Sequence, residues 1–129
     1  MTVNEVYNNL GIFLKELVQT QNWDKVELHL KIQPKMLGMS GRMYSKDEIV
    51  SIRTKLDNDL KSQVLWLHEE TADGVNNKWN RAIFSLTPDN KFNMEFEWDH
   101  EWQAEVDKNN RIAEVEDPNY SAPKWHWEK

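Results

Sequence analysis

A segment of strict two-residue alternation, residues 92–98, restricts the fold of this chain more than any other feature. Apolar side chains occupy every second position, and Asn93, Glu95 and Glu97 lie between them. This period is typical of a strand with one face buried and the other in water. The stretch KWNRAIFSLT has the same period and reaches this segment through the turn TPDNK, so the two form a predicted hairpin.

The loop from Thr87 to Lys91 fixes the register of the hairpin. A shift by one residue would turn every side chain of one strand to the opposite face. A five-residue loop keeps both apolar sets together and predicts three facing pairs: Leu86 with Phe92, Phe84 with Met94, and Ala82 with Phe96. Phe92, Met94 and Phe96 are therefore expected to face the core, and the acidic residues between them to face water.

A second alternating segment, residues 24–33, predicts another half-buried strand. Its apolar set is Val26, Leu28, Leu30 and Ile32, and Pro34 ends it. The glycine-containing stretch MLGMSGRMYS predicts a strand that returns beside it through a short loop at Gln33–Lys35.

Two capping boxes predict two helices. Thr2 with Glu5 opens the first, expected over 3–20 with an apolar stripe from Val6 to Val18. Ser45 with Glu48 opens the second, expected over 46–70, since apolar residues follow at spacings of three or four.

The predicted fold is α+β, a single domain of 129 residues. An antiparallel sheet of about four strands carries the N-terminal helix and the long central helix on one face, in the order α-β-β-α-β-β-tail. The acidic, Trp-containing tail from about 105 is polar, with room for a short helix before Asp107. Two interpretations of Trp125 and Trp127 stay open: they cover an exposed sheet edge, or they bind a partner.

The composition excludes several classes of protein. Without cysteine, the chain forms no disulfide, thiolate metal site or thiol nucleophile. Residues 1–10 show no basic region followed by an apolar run, and no apolar stretch is long enough to span a bilayer. A cytoplasmic protein that is not inserted in a membrane is expected.

Negative charge is concentrated in residues 89–117. This segment contains ten acidic residues and three basic ones (Lys91, Lys108 and Arg111), which gives it a net charge of −7. Such a field repels phosphate backbones and attracts cationic surfaces, so direct binding of nucleic acid by this region is not expected. Tryptophans among acidic residues are typical of protein-binding hot spots. The predicted partner-binding residues are Glu95, Glu97, Trp98, Asp99, Glu101, Trp102, Glu105 and Asp107.

The sequence does not predict an enzyme. Asp99-His100-Glu101 joins a histidine to carboxylates, but consecutive strand residues point to opposite faces and do not converge. The four histidines lie on separate predicted elements without zinc-ligand spacing, and the glycines form no phosphate-binding pattern. We therefore expect no catalytic residue, no metal and no cofactor.

In several stretches the chain resembles the YezG-like immunity proteins of bacterial polymorphic toxin and contact-dependent growth inhibition systems. The similarity comprises the amphipathic N-terminal helix, NWDKVELHLKI with Trp23, the predicted helix over 46–70, and KWNRAIFSLTPDNKFNMEFEWD with Trp79. It implies a stoichiometric inhibitor that binds one cognate toxin domain, with a nuclease and its basic cleft as the expected target. The alternative is an adaptor or chaperone module that binds a basic protein outside any immunity system.

Overall fold

Five antiparallel strands and three helices make up the computed structural model, which describes residues 1–128. The strands are β1 (Lys25–Gln33), β2 (Met36–Ser45), β3 (Glu48–Ile52), β4 (Arg81–Leu86) and β5 (Phe92–Glu97). The helices are α1 (Val3–Val18), α2 (Asn58–Thr71) and α3 (His100–Glu116). The sheet has the order β3-β2-β1-β4-β5. This confirms the α+β class and the antiparallel sheet, with five strands instead of about four.

The core lies between the sheet and the first two helices. The apolar residues of β1 (Val26, Leu28, Leu30 and Ile32) are buried on this inner face together with Phe84 of β4. Against them α1 buries one stripe at helical spacing, from Val6 to Val18. The predicted helix and its Thr2–Glu5 capping box are confirmed.

The register of the β4–β5 hairpin is confirmed residue by residue. Leu86 faces Phe92, Phe84 faces Met94 and Ala82 faces Phe96. The expected burial of the β5 set needs correction, because Phe92 remains 50% exposed and Phe96 42% exposed. The reason is that β5 is an edge strand, so its apolar side chains are covered from one neighbouring strand only.

The predicted helix over 46–70 is wrong in its first half. Lys46 adopts a positive φ of 42° in a two-residue turn, and β3 returns beside β2 with Ser45 facing Glu48. Three of the five β3 residues are β-branched aliphatics (Ile49, Val50 and Ile52), which fit a pleated strand better than a helix. The helix starts later, where the Asp57 side chain accepts a hydrogen bond from the Leu60 amide at 2.7 Å.

The later start predicts which cap stabilises the helix. Asp57→Ala should lower the free energy of unfolding by about 1 kcal/mol, since the Leu60 amide loses its acceptor. Ser45→Ala should change it by less than about 0.5 kcal/mol, because Ser45 lies in a hairpin. Urea denaturation of both variants measures the difference. If Ser45→Ala lowered the free energy of unfolding as much as Asp57→Ala, the result would favour the predicted helix over 46–70.

The region expected as a polar tail forms a seventeen-residue helix, α3. Its Asp99 cap accepts from the Trp102 amide at 3.0 Å, and the helix continues to Glu116, well past the short helix expected before Asp107. Within residues 1–128, no helix combines the length and the apolar character needed to cross a bilayer. The observed order is α-β-β-β-α-β-β-α.

Candidate functional site

The junction between β5 and α3 is fixed by polar contacts around Asp99. The Asp99 carboxylate lies 2.7 Å from Arg81 Nε, and the side chain of the fully buried Asn80 pairs with the Asp99 backbone at 2.7 and 3.1 Å. The Trp102 amide, and after it the Arg81 guanidinium, hold the pKa of Asp99 below its usual range. Asp99 therefore positions α3 within its own chain.

The two tryptophans predicted to bind a partner also contact the protein itself. The Trp102 ring lies 5.2 Å from Arg81 Cζ and 5.8 Å from Lys31 Nζ, on the face of the sheet opposite to α1. Trp98 packs near Trp125, at 5.9 Å between ring centroids, and Lys78 Nζ lies 5.4 Å from its ring. Both rings are partly buried, so their contacts within the chain stabilise α3 and the C-terminal segment.

Four of the predicted acidic residues are exposed near this junction. Glu95 and Glu97 lie on β5, opposite Ile83 and Arg81 of β4, and Glu101 and Glu105 lie on α3. Asp107 is exposed too, but it accepts a hydrogen bond from Gln103 Nε2 at 3.0 Å on another side of the helix. These acids thus lie on β5 and on the first turns of α3, the two elements that meet at Asp99.

One side of α3 is exposed along its whole length. At helical spacing it presents three acidic, one basic and two aliphatic residues, which we call the outer α3 face: Glu101, Glu105, Lys108, Ile112, Val115 and Glu116. Val115 is 84% exposed, and α3 has no buried residue. Most helices in proteins are stabilised by burying one face, so a helix of this length without one is unusual.

The opposite side of α3 borders a groove of about 540 Å³ that the C-terminal segment closes. Trp102, Val106 and Tyr120 are among its lining residues, and Gln33 belongs to its floor. Gln103 Nε2 donates to the Asp107 carboxylate, so its oxygen must accept from Gln33 Nε2, at 3.3 Å. This orientation leaves Gln33 Oε1 buried without a donor among the described residues.

The C-terminal segment folds back onto α2, so Trp125 and Trp127 contact the protein itself. His68 is 3% exposed, and its ring lies 4.6 Å from Trp79, 5.2 Å from Trp125 and 5.5 Å from Trp127. The two C-terminal rings therefore cover the end of α2, and both also lie near Trp98, which directly follows the edge strand β5. His68 Nε2 lies 2.9 Å from the Trp79 carbonyl, so that nitrogen carries the hydrogen.

Burial shapes the acid–base behaviour of His68. Desolvation lowers the pKa of His68 to about 4, more than the hydrogen bond to the Trp79 carbonyl raises it. The neutral ring therefore belongs to the native core at neutral pH.

A carboxylate–histidine pair that the sequence interpretation missed lies on the face of the sheet opposite to α1. Glu27 Oε1 accepts from the Tyr44 hydroxyl at 2.6 Å and lies 3.1 Å from His29 Nε2. Burial raises the pKa of Glu27, but the bonds from Tyr44 and His29 outweigh it and the pKa is lowered. The two-residue spacing of Glu27 and His29 was the available signal, because it puts both on one face.

The run Asp99-His100-Glu101 does not converge in the structure. Asp99 caps α3 and contacts Arg81, whereas His100 and Glu101 are exposed in the first turn of the helix. Among residues 1–128, no three histidine or carboxylate side chains are grouped closely enough to hold a metal ion. The exposed acids of β5 and α3 are thus the candidate site, and its chemistry is attraction of positive charge.

Comparisons with known proteins identify no family for this chain. The resemblance to the YezG-like immunity proteins remains an expectation from the sequence. No protein family model matches the chain, and no curated protein matches it significantly.

Proposed function

We propose that this protein is a cytoplasmic immunity protein that neutralises a cognate bacterial toxin domain by stoichiometric binding. The observation that carries the proposal is the outer α3 face, a stripe of six exposed residues along a seventeen-residue helix that has no fully buried side chain. An uncovered helix of this kind is suited to docking a partner, because binding supplies the burial that the helix lacks.

The charge of this surface indicates a cationic partner. Residues 89–117 carry a net charge of −7, and the exposed acids of β5 and α3 belong to that segment. Charge of one sign accelerates the encounter with a partner of opposite sign and discriminates against like-charged ones. A nuclease domain, whose substrate cleft must attract phosphates, fits this surface and is the toxin class we propose.

The aliphatic residues of the outer α3 face provide candidate anchors. Ile112 and Val115 are exposed and flanked by Lys108 and Glu116. Binding energy concentrates in apolar side chains that become fully desolvated at the centre of an interface, surrounded by polar residues. We therefore assign the anchoring contacts to Ile112 and Val115, and the steering charge to the glutamates of β5 and α3.

Titration of toxin activity tests the stoichiometric mechanism. Increasing amounts of the purified protein are added to a fixed amount of the toxin encoded beside its gene, and the remaining toxin activity is measured. Complete inhibition at about one equivalent is expected. Complete inhibition at far lower ratios would indicate catalysis, and binding without inhibition would favour the adaptor alternative.

Charge reversal on α3 should slow association. We expect Glu101→Lys with Glu105→Lys and Glu116→Lys to lower the association rate constant by about 10- to 100-fold at low salt. The matched control reverses three exposed glutamates on α1 and α2: Glu16→Lys, Glu69→Lys and Glu70→Lys. It changes the total charge equally and should lower the rate by about threefold or less.

Surface-binding kinetics at several salt concentrations measures both variants. The difference between them should shrink towards 1 M salt, where the Debye length falls to about 3 Å from about 10 Å at 0.1 M. Circular dichroism verifies that α3 is retained. Equal slowing of both variants would mean that total charge, and not the outer α3 face, governs the encounter.

A further inference from the structure

The C-terminal segment, residues 118–128, is attached to α2 by two tryptophans. Trp125 and Trp127 stack on each other, with 4.8 Å between ring centroids and an angle of 7° between the ring planes. Trp125 is only 6% exposed. The same segment lines the groove beside α3, through Tyr120 and the residues that follow it. Detachment of the segment therefore opens that groove.

The loop between α2 and β4 is shaped to receive Trp127. Gly74 has a φ of 79°, and a Cβ at this position would overlap the Trp127 ring. The Asp73 carboxylate holds the loop by accepting hydrogen bonds from the backbone amides of residues 75–77. A glycine with positive φ thus lets the ring lie directly against the backbone.

His68 lies at the centre of this attachment. Its ring contacts Trp79 of the core, and Trp125 and Trp127 of the C-terminal segment. Nε2 already donates to the Trp79 carbonyl, so an added proton goes to Nδ1 and makes the ring a cation among three indoles. At 3% exposure, water solvates this charge poorly as long as the segment is attached.

The charged groups around His68 do not favour its protonation. Burial is the main cause of its low pKa, and the charged form of His126, whose ring lies 5.2 Å away, lowers that pKa further. The other ionisable residues on α2, on the loop before β4 and on the C-terminal segment are exposed and screened by solvent: Glu69, Glu70, Asp73, Lys78, Lys124 and Glu128. Protonation of His68 is therefore easier once the segment has detached.

We propose that His68 is a pH-sensitive switch: protonation of its ring releases the C-terminal segment and opens the groove beside α3, while the sheet and α1 stay folded. The core between the sheet and α1 is built from residues outside this segment, such as Leu28 and Leu10, so it does not depend on the attachment.

The direction of the switch follows from linkage. The pKa of His68 is about 4 with the segment attached, whereas a solvated histidine has a pKa of about 6.5. The attached state is therefore fully stabilised above about pH 6.5, and this stabilisation is lost as the pH falls towards about 4. The equilibrium constant for detachment should rise by about 10- to 30-fold between about pH 7.5 and pH 5.

Native-state proteolysis measures this constant. The full chain is treated with papain at several pH values between about 7.5 and 5, and cuts within residues 118–128 are identified by mass spectrometry. Each rate is divided by that of a free peptide with the sequence of residues 118–128 at the same pH, which removes the pH dependence of the protease. The normalised rate should rise by about 10- to 30-fold on acidification, whereas cuts in β1, which need global unfolding, should stay rare.

Two variants separate the switch from a general effect of acid. His68→Gln keeps an N–H donor for the Trp79 carbonyl but carries no titratable ring, so its normalised rate should change by less than about threefold over the same range. Gly74→Ala overlaps Trp127 only while the segment is attached, so at neutral pH its normalised rate should exceed that of wild type by about tenfold or more. Thermal denaturation verifies that both variants fold.

A wild-type rate that stays constant with pH would overturn the proposal. A rate that falls on acidification would also overturn it, because attraction between the charged ring and the indole faces would then outweigh the cost of burial. A rise that His68→Gln shares would assign the release to other titrating groups. No toxin is needed for these measurements, so their outcome is independent of the proposed function.

Discussion

Phe84→Ala is expected to lower the free energy of unfolding by about 3–5 kcal/mol, because it empties the centre of the core. Phe84 is fully buried, and its ring centroid lies 5.6 Å from that of Phe92 and 6.3 Å from that of Tyr7. Its contacts join the sheet to α1, so the cavity cannot close without moving the helix. Urea denaturation followed by tryptophan fluorescence measures the loss.

Phe96→Ala is the matched comparison on the edge strand. Its ring lies 4.8 Å from Trp79, but Phe96 is 42% exposed, so we expect a loss of about 1–2 kcal/mol. The neighbouring Glu97→Ala should stay within about 0.5 kcal/mol, since that side chain is in water. Equal losses at Phe84 and Phe96 would contradict the difference in burial.

Acidification is expected to destabilise the protein through His68. The pKa of His68 is about 4 in the folded state and about 6.5 in the unfolded chain. The unfolded chain therefore binds the proton more readily, and the stabilisation, complete above about pH 6.5, is lost as the pH falls towards about 4. Its total is about 3 kcal/mol, since one pKa unit corresponds to about 1.4 kcal/mol.

The histidine contribution is separated from that of the carboxylates by a difference measurement. Wild type and His68→Gln are denatured with urea between about pH 7.5 and pH 4, a range that spans both pKa values of His68, and their free energies of unfolding are subtracted at each pH. The difference should shrink on acidification for His68→Gln, because only the wild type loses the stabilisation that the neutral buried ring provides. A constant difference for His68→Gln would mean that the folded state accommodates the charged ring.

The elements that the sequence predicted correctly are those in which burial follows one clear period. The β4–β5 register follows from alternation and loop length, and α1 follows from one stripe and a capping box. The sequence of segment 46–57 fits two patterns at once, that of a helix and that of a turn followed by a strand. Ile49, Ile52 and Leu56 have helical spacing, but β-branched residues and a tight turn at Lys46 favoured the strand.

The exposure of the glutamates in the candidate site could be predicted from local sequence. The partial burial of its tryptophans could not, because that burial depends on contacts with residues distant in sequence. The exposed glutamates of β5 and α3 follow from local pattern. The partial burial of Trp98 and Trp102 depends on Trp125 and Lys31, which are far away in sequence. The length of α3 was missed because a helix without a fully buried residue leaves no clear apolar period to detect.

The lack of burial along α3 has a consequence for how the native protein opens. Asp99 and Asn80 fix the start of the helix, and the chain beyond it is fixed at Trp125, but the middle can unwind without exposing the core. The amide hydrogens of α3 should therefore exchange with solvent through local opening, at a rate almost independent of denaturant. Those of β1 and β4 should exchange only through global unfolding. A partner seated on α3 would then be located by slowed exchange of this helix, whereas a rise in melting temperature would report binding without showing where it occurs.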